Sequence, residues 1–101
     1  GTDENATVAL KFELIGNYPN PFNPETKIKF STERESDVQV TIYSLIGEKV
    51  QTIQNGQLNA GNHNLSWYGK DQSGNKVPSG VYFYEVKSDN RTATGKMLLL
   101  K

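Results

Sequence analysis

The chain contains no cysteine, a single histidine, a single tryptophan and a single methionine. Without cysteine there is neither a disulfide framework nor a thiolate metal site. His63 alone cannot assemble a histidine metal cluster. Net charge is missing too: 11 basic and 11 acidic side chains cancel. This removes the electrostatic footprint of a domain that binds nucleic acid or an anionic membrane. No apolar run approaches the ~20 residues of a membrane-spanning helix. Nowhere do apolar residues recur at i, i+3 and i+4 for several turns, so no amphipathic helix is expected. Hydrophobic residues make up only 35% of the 101 residues, and a core drawn from them must lean on five Tyr, four Phe and the Trp. This length predicts one domain. Residues 1–7 carry no signal-peptide pattern and read as a linker remnant. They are expected to precede a domain at 8–101 that is a piece of a longer secreted protein.

What is present is alternation with a period of two. Val8, Leu10, Phe12 and Leu14 share one face of an expected strand. Ile28 and Phe30 point inward from a second strand, and Val38, Val40 and Ile42 from a third. Further strands are expected at Lys49 to Gln54, His63 to Trp67, Val81 to Val86 and Arg91 to Leu100. Asn55-Gly56 reads as a turn, as do Asn59-Ala60-Gly61, Asp71 to Asn75 and Asp89-Asn90. Gly47, Gly74 and Gly80 punctuate these connections. About seven strands at such spacing predict an all-β, Ig-like β-sandwich of antiparallel strands.

Three of the four prolines, Pro19, Pro21 and Pro24, fall within six residues. Each lacks a backbone N–H and fixes φ, so neither a helix nor an interior strand can pass. Phe22 sits in their midst, and a large aromatic is costly to leave in water. The stretch therefore reads as a clasp that tucks one ring beneath a sheet.

No catalytic constellation emerges. Glu33, Glu35 and Asp37 lie in one loop beside Arg34, which suits a solvated charged turn better than a glycosidase pair. No serine has an acid–base arrangement with His63. Asp71, Ser73 and Asn75 stand at i, i+2 and i+4, as at the start of a calcium loop, but Gly74 and Tyr82 occupy the wrong positions for one. A tight turn braced by Asp71 is the expectation, with weak calcium binding as the residual reading. Trp67, Tyr68, Tyr43 and Phe83 could make a sugar-binding platform. Against this, a small sandwich needs Trp67 between its sheets and a tyrosine, Tyr82 or Tyr84, bracing a corner. Lys96-Met97-Leu98-Leu99-Leu100-Lys101 is apolar on both faces. Such a strand is either buried on both sides or offered to a partner, with the flanking lysines discouraging chance pairing.

Asn17 to Pro24 resembles the opening of the type A C-terminal sorting domains of the bacterial type IX secretion system. The Ig-like module of the flagellar hook-capping protein is similar. The resemblance continues through Ile42 to Gly47, Gly56 to Gly61, Trp67, Asp71 to Asn75, Pro78 to Tyr84 and Lys96 to Lys101, covering roughly Leu14 to Lys101. Tyr68 departs from it, since such domains commonly carry Asp or Asn there. The resemblance implies a non-catalytic, monomeric module without cofactor or small-molecule substrate. It would be joined to upstream domains of its parent and act as a sorting or attachment signal. The outer-membrane secretion machinery would read it by contact with residues 96–101. Its place would be the surface of a Gram-negative bacterium, or the medium, reached through the periplasm. The alternative is a carbohydrate-binding or spacer module of a secreted glycan-active enzyme.

Overall fold

Alternation along the chain becomes seven antiparallel strands in two packed sheets: β1 Glu13–Tyr18, β2 Thr26–Thr32, β3 Ser36–Ser44, β4 Lys49–Leu58, β5 Gly61–Trp67, β6 Gly80–Ser88 and β7 Arg91–Leu99. The computed structural model describes residues 11–101. The linker expected at 1–7 and the start of the strand expected at Val8 lie outside the described residues. One sheet has the order β1-β2-β5 and the other β4-β3-β6-β7. The architecture is an Ig-like β-sandwich.

Between the sheets lie the alternate side chains of each strand. Ile28 and Phe30 face Val38, Val40 and Ile42, with Val86, Tyr84 and Tyr82 from β6 and Met97 and Leu99 from β7. Trp67 is 0% exposed and spans the layer, as a large ring can where two sheets stand about 10 Å apart. On β7, Met97 and Leu99 point inward and Leu98 outward, and Leu100, just past the strand, is exposed.

Two expectations shift. The first described strand runs from Glu13 to Tyr18, directly into the proline clasp, rather than ending at Leu14. A register shift between Leu14 and Gly16 pushes Ile15 outward. Asn55-Gly56 makes no turn: β4 continues to Leu58, with Asn55 opposite Gln39 and Gly56 opposite Val38. Pairing along β3 overrides the local turn preference, and glycine tolerates the φ of +152° that this requires.

Every odd-numbered strand ends, and every even-numbered strand begins, at the same end of the sandwich. The clasp at 19–25, the turn at 45–48, the long loop at 68–79 and residues 100–101 therefore gather there. This is the distal end.

Candidate interaction surface

Phe22 is buried against Trp67, ring centroids 5.7 Å apart, and Tyr82 meets Trp67 edge-on at 5.2 Å. The Trp67 indole N–H donates to the Lys70 carbonyl at 2.9 Å. The Tyr82 hydroxyl donates to the Pro78 carbonyl at 2.6 Å, tying the long loop to the strand that follows it. Burial raises the pKa of Tyr82 and of Tyr84 above the usual tyrosine value.

The clasp lies along the open edge of β7. The Phe22 N–H donates to the Leu98 carbonyl at 3.0 Å, and the Leu100 N–H donates to the Phe22 carbonyl at 2.9 Å. Asn20 extends the pairing with its side chain, donating to the Lys96 carbonyl at 3.2 Å and accepting from the Leu98 N–H at 3.0 Å. Its carboxamide stands in for one peptide unit of a neighbouring strand. Asn17 and Thr26 fix the clasp from below: Asn17 donates to the Thr26 hydroxyl, and Thr26 donates to the Pro19 carbonyl at 2.7 Å. The edge from Lys96 to Leu100, by which a receptor strand would add, is thus occupied within the chain. All three prolyl bonds of the clasp are cis.

The opposite edge of the same sheet is met by the long loop. The Gln72 N–H donates to the Val50 carbonyl, and the Gln72 side-chain oxygen accepts from the Thr52 N–H at 3.0 Å. Asp71 serves this loop as a turn residue: its carboxylate accepts from the N–H groups of Ser73 at 3.0 Å and Asn75 at 2.9 Å. Gly74 adopts φ +88°, which the turn demands. Among the described residues no three His, Cys, Asp or Glu side chains gather as a metal site.

The four aromatics considered as a platform are separated. Trp67 is interior, Tyr68 stands exposed at the distal end, and Tyr43 and Phe83 pair across the outer face of the larger sheet. Glu33 joins Arg34 and Arg91 in an ion-pair network at the other end of the molecule.

Sequence reasoning missed a cleft at the distal end. Asn23, Pro24, Tyr68, Gly69, Lys70, Lys76, Leu99 and Lys101 enclose about 490 Å³. Its members come from four separate stretches of the chain, and no local pattern marks them.

The FlgD Ig-like domain family matches residues 16–92, from the bulge of β1 to the start of β7. The chain belongs to the FlgD Ig-like domain family. The basal-body rod modification protein FlgD of Salmonella typhimurium is 38% identical over 53 residues, 52% of this chain and 23% of that protein. Its Salmonella typhi counterpart matches equally. The chain therefore spans under a quarter of these curated relatives. The crystal structure of FlgD from P. aeruginosa shares 33% identity with a TM-score of 0.60, over 74% of this chain and 59% of that one. Latent dimeric PorU of Porphyromonas gingivalis superimposes with a TM-score of 0.70 at 19% identity, over 90% of this chain and 9% of that one. PorZ, a surface component of the type IX secretion system of the same organism, gives 0.58 at 17%, over 97% and 12%. At such identities these two show a shared fold and nothing more.

Membership of the FlgD Ig-like family corrects the sorting-signal reading. The matching family and the similar curated proteins are flagellar. The outer-membrane secretion machinery is withdrawn as the partner. The carbohydrate-binding alternative loses its main support, since Trp67 is interior and its aromatic platform is not assembled.

Proposed function

We propose that this chain is a non-catalytic structural module of a larger protein that takes part in building a rod-like protein assembly, as the name of its relatives, basal-body rod modification protein FlgD, indicates for them. The observation that carries this reading is the family match across residues 16–92. The distal end supports it. Its loops are fixed by main-chain pairing with both edges of one sheet, which suits a unit that holds a surface in place.

A chimaera tests the proposal. In Salmonella typhimurium, the FlgD segment that matches this chain is replaced by residues 16–101. Restored basal-body rod assembly and motility is the expected result. A chimaera that is made, soluble and folded yet leaves assembly at the level of a strain lacking FlgD would overturn the reading.

A further inference from the structure

We propose that the distal cleft is a docking site for an acidic protein segment carrying one large apolar side chain. The floor is apolar: Pro24, buried Gly69 and the side chain of Leu99. Gly69 has φ +70°, the left-handed region that favours glycine, and a Cβ there would stand 3.3 Å from the Leu99 side chain and 3.5 Å from the Pro24 carbonyl, so loop, clasp and final strand meet closely here. Tyr68 stands at the mouth, 53% exposed. A concavity of about 490 Å³ accepts a side chain from a peptide, whereas a bilayer presents no such knob.

The side-chain charge at the rim has one sign. Lys70, Lys76 and Lys101 line the cleft, and no acidic residue does. None of the three forms an ion pair among the described residues. The Asp71 carboxylate is turned to the N–H groups of Ser73 and Asn75, and Glu25 accepts from the Ser66 hydroxyl, so neither pairs with a rim lysine. Lys70 and Lys76 pair directly across a β-bridge, so the turn between them sets two cations side by side. Like charges directly opposite destabilise a pair of strands. In a chain of zero net charge, this local excess is a cost that an acidic ligand would relieve. The frame is already ordered, since the Lys70 carbonyl accepts from Trp67 and the Val77 N–H donates to the Gly69 carbonyl at 3.0 Å. Binding then loses little entropy.

The test titrates the whole 101-residue chain with fluorescein-labelled Glu-Glu-Phe-Glu-Glu, read by anisotropy and by amide chemical shifts. Expected are shifts confined to the lining amides, those of Asn23, Tyr68 to Lys70, Lys76, Leu99 and Lys101, and affinity that falls as salt rises. The peptides Lys-Lys-Phe-Lys-Lys and Glu-Glu-Ser-Glu-Glu should bind at least about fivefold more weakly, and the Lys70→Gln/Lys76→Gln variant should lose about fivefold for the acidic probe. That variant relieves a repulsion, so its melting temperature should not fall. Tyr68→Ser, altering an exposed ring, gives a second weakened variant. No saturable binding at millimolar peptide, equal binding of the basic peptide, shifts elsewhere, or binding only to phosphatidylglycerol vesicles would each overturn the proposal. The titration uses the isolated chain, so its failure is distinct from failure of the chimaera.

Discussion

Trp67 is the largest fully buried side chain among the described residues. It touches Phe22 from the clasp and Tyr82 from β6, and it donates to the loop that follows it. Truncating a buried ring of this size removes transfer energy and leaves a cavity. Trp67→Ala is expected to cost about 3–5 kcal/mol in urea unfolding. Emission of the folded domain should lie well to the blue of free tryptophan, and emission like that of the free amino acid would refute the burial. Gly95 illustrates a constraint of another kind. It stands opposite Tyr84 on the neighbouring strand, and a Cβ there would fall on the Tyr84 ring. Gly95→Ala should destabilise by about 1–3 kcal/mol, as overpacking does. The buried tyrosines also predict a pH limit. Their folded pKa values are raised, so the folded state holds protons that the unfolded state releases near pH ~10. Their contribution is complete below that pH and is lost as pH rises through the folded values. The melting temperature should therefore drop above about pH 10 together with the rise of tyrosinate absorbance. A melting temperature unchanged through that ionisation would contradict the assignment.

At the scale of elements, the clasp and the final strand are one unit. Four main-chain groups of β7 and the residue after it, the Lys96 carbonyl, the Leu98 N–H and carbonyl, and the Leu100 N–H, are paired by Asn20 and Phe22. Asn20→Ala should cost about 1–2 kcal/mol, because it unmakes two of those bonds at a partly exposed edge. Phe22→Ala should cost more, about 3 kcal/mol or above, because a buried ring is lost. Urea midpoints rank the two, and the reverse order would mean the ring is not what the clasp holds. Removing Met97 to Lys101 deletes two interior side chains and an edge partner. The shortened chain should lose near-ultraviolet circular dichroism and amide dispersion, and a folded product would place these residues outside the core. The inward faces of β2 and β3, and of β5 through Trp67, were legible because alternation is a local signal, whereas β6 is apolar on both faces and was legible only as a strand. β4 was legible only in its first half, since Asn55-Gly56 reads locally as a turn and becomes strand through pairing with β3. Which face of β7 is interior was not legible, for both faces are apolar; the approach of the clasp and of Tyr82 decides it.

For the whole molecule, topology does what no local pattern announces. Seven antiparallel strands bring the clasp, the long loop and the end of β7 to one end. Lys70, Lys76 and Lys101, unremarkable in sequence, become neighbours there. The sandwich class followed from strand count and spacing. The functional assignment drawn from motif order did not stand: the family that matches is FlgD Ig-like, and the same fold is found in PorU and PorZ at 19% and 17% identity. The central structural claim is that clasp and loop seal the larger sheet and make the distal end rigid. Native-state hydrogen exchange tests it most directly. The amides of Phe22, Leu98, Leu100, Gln72 and Thr52, which close the two edges, should be protected nearly as strongly as those of Val40 and Val86 at the sheet centre. Exchange of the edge amides at rates close to an unstructured chain, with Val40 and Val86 still protected, would contradict it.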